Sequence, residues 1–165
     1  MRVMGIDPGL TRMGVGVVDE RAGTLTCVHE ETITTQPGDP VGTRLNYVFD
    51  RLVAVMGEFG PEAVAVERVF LKTNSKTAIP SIQASGIALL AAATHGYPVR
   101  EYSPAEMKMA IAGTGTAEKQ QVRYMVRQLL RGKAGDDTPD SADALGLAIC
   151  HINSSRMQNL IKLAR

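Results

Sequence analysis

Met1 to Asp19 reads MRVMGIDPGLTRMGVGVVD, and the way this stretch folds back on itself decides the architecture. A short apolar run ends in Gly5-Ile6-Asp7. Pro8-Gly9 then fixes a tight turn, and Gly14, Val15, Gly16 and Val17 alternate with strand period. The stretch predicts strand, turn and returning strand, with Asp7 at the end of the first strand. A carboxylate leaving a strand beside glycines, with little side-chain bulk near it, suits a cation or an approaching phosphate. Asp also shapes turns with no further role. Partners elsewhere in the chain decide between the two.

The 165 residues, 44% apolar and 21% charged, predict one globular domain with a sizeable core. The most apolar run, Gly86 to Ala93, is far short of the roughly 20 residues that span a bilayer. The N-terminus has no basic region followed by an apolar signal core. Both point to a cytoplasmic protein without membrane attachment. Cys27 and Cys150 form no CxxC pair, which speaks against a thiolate zinc site or a redox motif and predicts two reduced thiols. The formal net charge of +1 hides an asymmetry: five Lys/Arg against eight Asp/Glu through Gly60, thirteen against nine from Pro61 onward. Basic side chains gather in the later part, where they can form a phosphate-binding surface.

Gly23 to Thr35, rich in Thr, Val and Ile, predicts a third meander strand, broken by Gln36-Pro37-Gly38. Leu45, Val48, Phe49, Leu52, Val53 and Met56 make a 3.6-period stripe, a helix over Thr43 to Gly57. Ala63-Val64-Ala65-Val66 is a continuous apolar run, the mark of a strand buried on both faces, and it ends in Glu67. A basic segment with Phe70 leads to a helix over Ala78 to Thr94, then a strand over Tyr97 to Tyr102. Ser103-Pro104-Ala105-Glu106 has the residues of a capping box opening a helix that stops at Gly113-Thr114-Gly115. Ala117 to Arg131 is a further helix. After a loop, Thr138-Pro139 starts a last one, expected to end near Ser154. The reading is an α/β domain over residues 1–154, a mixed five-stranded sheet flanked by helices, with a basic tail over 155–165 that frays.

Four acids stand out. Glu67 ends a buried strand as Asp7 does; if the strands are parallel neighbours, both acids emerge at the edge where such sheets place ligands. Asp140 and Asp143, three apart, share one face of the last helix, with Ala142, Leu145, Ile149 and Ile152 on the other. Separately, Glu67 marks where a strand meets water, and acids in a first turn complement the helix dipole. Together they make the oxygen-rich set that hard divalent cations take. Two ions about 3.5–4 Å apart stabilise the attacking and leaving oxygens of a phosphodiester displacement. Asp136 and Asp137, in a Gly-flanked loop, read as solvated charges. Lys119, Arg123, Arg127 and Arg131 repeat every four residues beside the apolar Val122, Met125, Val126 and Leu129. Gly113 to Thr116 with Lys119 can cradle a phosphate. Phe70 is either a core cap or an exposed wedge that stacks on bases.

GIDPGLTRMGVGVVD, AVERVFLKTN, GTGTAEKQQVRYMVRQLL and PDSADALGLAI together resemble the RuvC family of Holliday-junction endonucleases, in the RNase H-like superfamily. The resemblance covers nearly the whole chain and keeps all four acids in order. It implies an RNase H-like fold, with Asp7, Glu67, Asp140 and Asp143 as metal-binding catalytic acids. Lys119 and Lys108 would be basic residues near the scissile phosphate, and Phe70 an aromatic at the junction crossover. Lys72, Lys76 and Arg123 complete the expected DNA contacts. The implied cofactor is Mg2+, with Mn2+ also supporting activity, two ions per subunit. The implied partners are a four-way DNA junction, a second copy of the chain in a homodimer, and a branch-migration complex of RuvA and RuvB type. The implied reaction is hydrolysis by paired symmetric nicks, leaving 5′-phosphate and 3′-hydroxyl ends, in recombination and repair. In this frame the Pro8-Gly9 turn leaves Asp7 open and makes room for DNA.

One departure is visible: Gln83-Ala84-Ser85-Gly86 stands where the family pattern suggests QARG, so an arginine contact is absent or moved. The opening motif alone also resembles the phosphate loop of actin-like ATPases, which need two lobes where 165 residues give one. An RNA-directed nuclease of the YqgF group and a non-catalytic junction-binding protein are the remaining alternatives.

Overall fold

The computed structural model of the chain describes residues 1–70, 75–131 and 138–163. Strands β1 (Arg2–Asp7), β2 (Arg12–Arg21) and β3 (Thr24–Thr34) form the expected antiparallel meander, and β4 (Ala63–Glu67) and β5 (Val99–Tyr102) join β1 in parallel, in the order β3-β2-β1-β4-β5. Ala22 and Gly23 turn β2 into β3 with φ of 49° and 81°, the left-handed pair that lets a two-residue hairpin follow the sheet twist.

Alternation along the strands separates two cores. Met4, Ile6, Val15, Val17, Val64 and Val66 face helices α1 (Val41–Phe59) and α2 (Ser75–Thr94), where Val48, Leu52, Val55, Met56 and the alanines 84, 88, 91 and 92 meet them. Val3, Val18 and Ala65 face α3 (Pro104–Ala112), α4 (Lys119–Leu129) and α5 (Pro139–Leu163). Asp7 follows Val3 and Gly5, and Glu67 follows Ala65, so period two delivers both acids to the α5 side.

That side is cut low by glycine. Gly5 pairs with Gly16, and Gly14 pairs with Asp7 itself. A Cβ on Gly5 would overlap the Ala144 carbonyl oxygen, one on Gly14 the Asp140 carbonyl oxygen, and one on Gly16 would come 2.8 Å from the Leu145 side chain. The α5 backbone therefore lies directly on the strand backbones, closer than any side chain permits. The glycine alternation that predicted β2 is a seat for the last helix. Gly9 serves the turn, since a Cβ there would overlap the Arg12 carbonyl oxygen.

Two helix boundaries differ from expectation by more than two residues. Helix α2 begins at Ser75, before Ala78, and carries Pro80 inside it. Helix α5 runs through Ser154 to Leu163, so the division at residue 154 falls inside a helix. The polar composition after Ser154 read as a tail, yet it holds no Gly or Pro to stop a helix, and Lys162 in the last turn complements the dipole. No helix among the described residues is long and apolar enough to cross a membrane.

Candidate active site

The parallel register of β1 and β4 matches Ile6 with Val66, which brings Asp7 and Glu67 to adjacent strand ends. Their carboxyl groups are hydrogen-bonded to each other. Burial, then that hydrogen bond, then the negative charges of Glu67, Asp143 and Asp140 push the Asp7 carboxyl up to about 9. In the ion-free protein the Asp7–Glu67 pair thus holds a proton above the ordinary carboxylate range. Asp7 is half-buried, its side chain lining a cleft at the strand ends.

The other two acids come from the first turn of α5. Thr138 caps this helix, accepting from the Ser141 N–H at 3.3 Å, and its hydroxyl also meets Thr32 of β3 at 2.7 Å. The cap ties the helix start to the sheet. Asp140 accepts a hydrogen bond from Arg12 Nε at 2.7 Å, and Asp143 one from Lys119 Nζ at 3.4 Å. Both charges act on Asp7, which places all four acids in one electrostatic neighbourhood.

Opposite them stands α3, opened by the predicted capping box: Glu106 N–H donates to Ser103 Oγ and Ser103 N–H to Glu106 Oε2. It carries Pro104, Met107 and Lys108 into a cleft of about 100 Å3 that Asp7, Glu67, Asp143, Lys119 and Val122 complete. Phe70, 52% exposed, lines an adjoining hollow of about 260 Å3 that shares Asp7, Glu67 and Pro104. An aromatic ring thus stands at the rim, outside the core.

The remaining expected contacts divide. Arg123 is half-buried, its Nε without a hydrogen-bond partner among the described residues, and it does not line the cleft. Gly115 lines a different, apolar cleft between β5, α3 and α5, whereas Lys119, the first residue of α4, lines the acidic cleft. Lys72, Asp136 and Asp137 lie outside the described residues, and of Lys76 only its place in the first turn of α2 is described. Ser85 is buried, so the departure from the family pattern falls on an inward position. Arg12 was not singled out by sequence: nothing in the spacing links position 12 to position 140.

The donor set fits hard divalent ions. All four groups offer carboxylate oxygen, and burial together with the neighbouring acids raises the Asp7 carboxyl far above its usual range. Among the described residues no three of these groups already surround one point; Asp140 and Asp143 face Arg12 and Lys119 instead.

A three-strand meander continued by two parallel strands, with acids on two neighbouring strand ends and two more from a helix laid across them, is the RNase H-like fold with an acidic centre. The crossover junction endodeoxyribonuclease RuvC family model matches residues 3–151. The crossover junction endodeoxyribonuclease RuvC of Salinispora arenicola is 47% identical over 92% of this chain and 87% of its own length. That of Streptomyces avermitilis is 45% identical over 99% and 94%. The solved structure of Thermus thermophilus RuvC in complex with Holliday junction substrate superposes with a TM-score of 0.89 at 39% identity, covering 96% of each chain. The chain belongs to the RuvC family of crossover junction endodeoxyribonucleases. Membership supports the junction-nuclease reading over the RNA-directed nuclease, the scaffold and the ATPase.

Proposed function

We propose that the chain resolves four-way DNA junctions by hydrolysing phosphodiester bonds, with Asp7, Glu67, Asp140 and Asp143 as its catalytic acids. The observation that carries this is the Asp7–Glu67 pair at adjacent strand ends, charged from behind by Asp140 and Asp143. Bound Mg2+ or Mn2+, two ions per subunit, would supply Lewis acidity at the attacking and leaving oxygens.

The chain's own residues do the rest. Asp7 and Glu67 anchor the site to the rigid centre of the sheet, while Asp140 and Asp143 close it from α5. Lys119, 72% exposed at the cleft edge, and Lys108 beside it hold the strand to be cut through its phosphates. Phe70 stacks against a base at the junction, and its exposure beside Asp7 supports that role.

Pairing of the nicks calls for a homodimer with one site per subunit. The support for it is a stripe on α2: Ile79, Ile82 and Leu90 are exposed, with Gly86 between them leaving a flat place that nothing among the described residues covers. Work beside a RuvA and RuvB type branch-migration complex rests on family membership.

The test is incubation of the protein with a labelled mobile junction, with and without Mg2+ or Mn2+, mapping cuts on all four strands. Paired cuts on opposed strands are expected only with the ion, and Asp7→Asn should bind the junction without cutting it. Cleavage retained by Asp7→Asn would overturn the assignment.

A further inference from the structure

Arg12 opens β2 immediately after the Pro8-Gly9 turn, and its guanidinium lies against Asp140 at 2.7 Å with the side chain half exposed. The backbone beneath it is clamped. Thr35 N–H donates to the Thr11 carbonyl at 3.0 Å, and Thr35 Oγ1 donates to the Leu10 carbonyl at 2.6 Å. Arg44, itself buried, reaches Thr35 Oγ1 and Thr11 Oγ1 at 2.8 and 2.9 Å. With the side chain half exposed on a fixed base, a DNA strand bound over the acids would offer it a phosphate as a second anionic partner beside that carboxylate. Guanidinium serves either, because its planar fork matches carboxylate and phosphate alike.

An ion that takes Asp140 through Oδ2 competes with the Arg12 guanidinium for that oxygen. We infer that Arg12 is a displaceable counter-ion: it holds Asp140 in the ion-free protein, yields it to a divalent ion, and then binds a phosphate of the DNA strand across the cleft. The inference rests on the reading of the four acids as ion ligands. It makes ion loading and DNA grip successive uses of one side chain. Lys119 on Asp143 is longer in contact and far more exposed, a weaker hold on its acid.

The test uses Arg12→Gln. Titration calorimetry with Mn2+ and no DNA should show binding about two- to fivefold tighter than wild type, the scale of a partly exposed ion pair removed. A residue that merely supported the fold would leave Mn2+ affinity unchanged or lower it, and either result overturns the inference. Junction binding is then measured in Ca2+ against salt concentration. Arg12→Gln should lose about 0.9 from the slope of log K against log salt, one phosphate contact, and Arg12→Lys should keep it. An unchanged slope in Arg12→Gln overturns the DNA half. Asp7→Asn is the control for the underlying reading. Equal Mn2+ binding by Asp7→Asn and wild type would refute the acid site itself, whereas Mn2+ binding that needs Asp7 but ignores Arg12 refutes only the inference.

Discussion

Replacing Asp7 with Asn should stabilise the ion-free protein while abolishing cleavage. The Asp7 carboxyl is raised from 3.8 to about 9 by burial and by the hydrogen bond and charge of Glu67. Between those values the folded chain keeps a proton that the unfolded chain has lost. The unfolded state then binds fewer protons, so stability falls as pH rises, by about 1.4 kcal/mol per pH unit from this group. The favourable state is fully present below 3.8 and is lost as pH climbs through about 9. From pH 5 to pH 8 the loss is about 4 kcal/mol, or roughly 8–16 °C in Tm for a chain of this size. Asn carries no titrating proton and can donate its amide to Glu67, so the variant should lack this slope. The assay is thermal unfolding of wild type and Asp7→Asn in EDTA across pH 5 to 8, taking the difference at each pH so that other groups cancel. Mn2+ should then raise the wild-type Tm at pH 8 and leave that of the variant nearly still, because an ion stabilises only the state that binds it. A variant less stable than wild type at pH 8 in EDTA, or one with the same pH dependence, would refute the reasoning.

Gly14→Ala puts a methyl into the Asp140 carbonyl oxygen; relieving it needs a shift on the order of 1 Å in α5, costing about 1–3 kcal/mol in melting and ~10²-fold in cleavage rate. Gly57→Ala, inside α1 with open space around its Cβ, should keep wild-type activity and gain about 0.5–1 kcal/mol in stability in the same assays. Ile82→Glu with Leu90→Glu on the exposed face of α2 should give a monomer by sedimentation and turn paired cuts in a cruciform plasmid into single nicks. Dimers that persist would remove α2 as the contact. Phe70→Ala should weaken junction binding by about 1–3 kcal/mol, read by gel shift in Ca2+, while leaving binding of linear duplex unchanged.

Much of this was legible because the site sits where local patterns end. Asp7 and Glu67 each close an apolar run, and Ser103-Pro104-Ala105-Glu106 and Thr138-Pro139 announce their helices by capping chemistry that depends on neighbours only. What escaped depends on contacts across the chain. Gly14 and Gly16 signalled a strand correctly, but that they seat α5 is visible only when the helix, more than a hundred residues later, lies on them. Arg12 is an ordinary charged strand residue until Asp140 stands beside it. The C-terminal extent of α5 was obscured because polar helix faces and polar tails share a composition.

The glycine seat also sets when the protein becomes dangerous to DNA. Two of the four proposed acids lie before residue 70 and two after residue 138, and they meet where α5 docks on Gly5, Gly14 and Gly16. During synthesis the ribosome releases the sheet long before that helix, so a nascent or C-terminally truncated chain carries half a centre. On the proposed assignment of the four acids, cutting ability requires that long-range docking, so a chain whose last helix has not reached the sheet should leave the chromosome uncut.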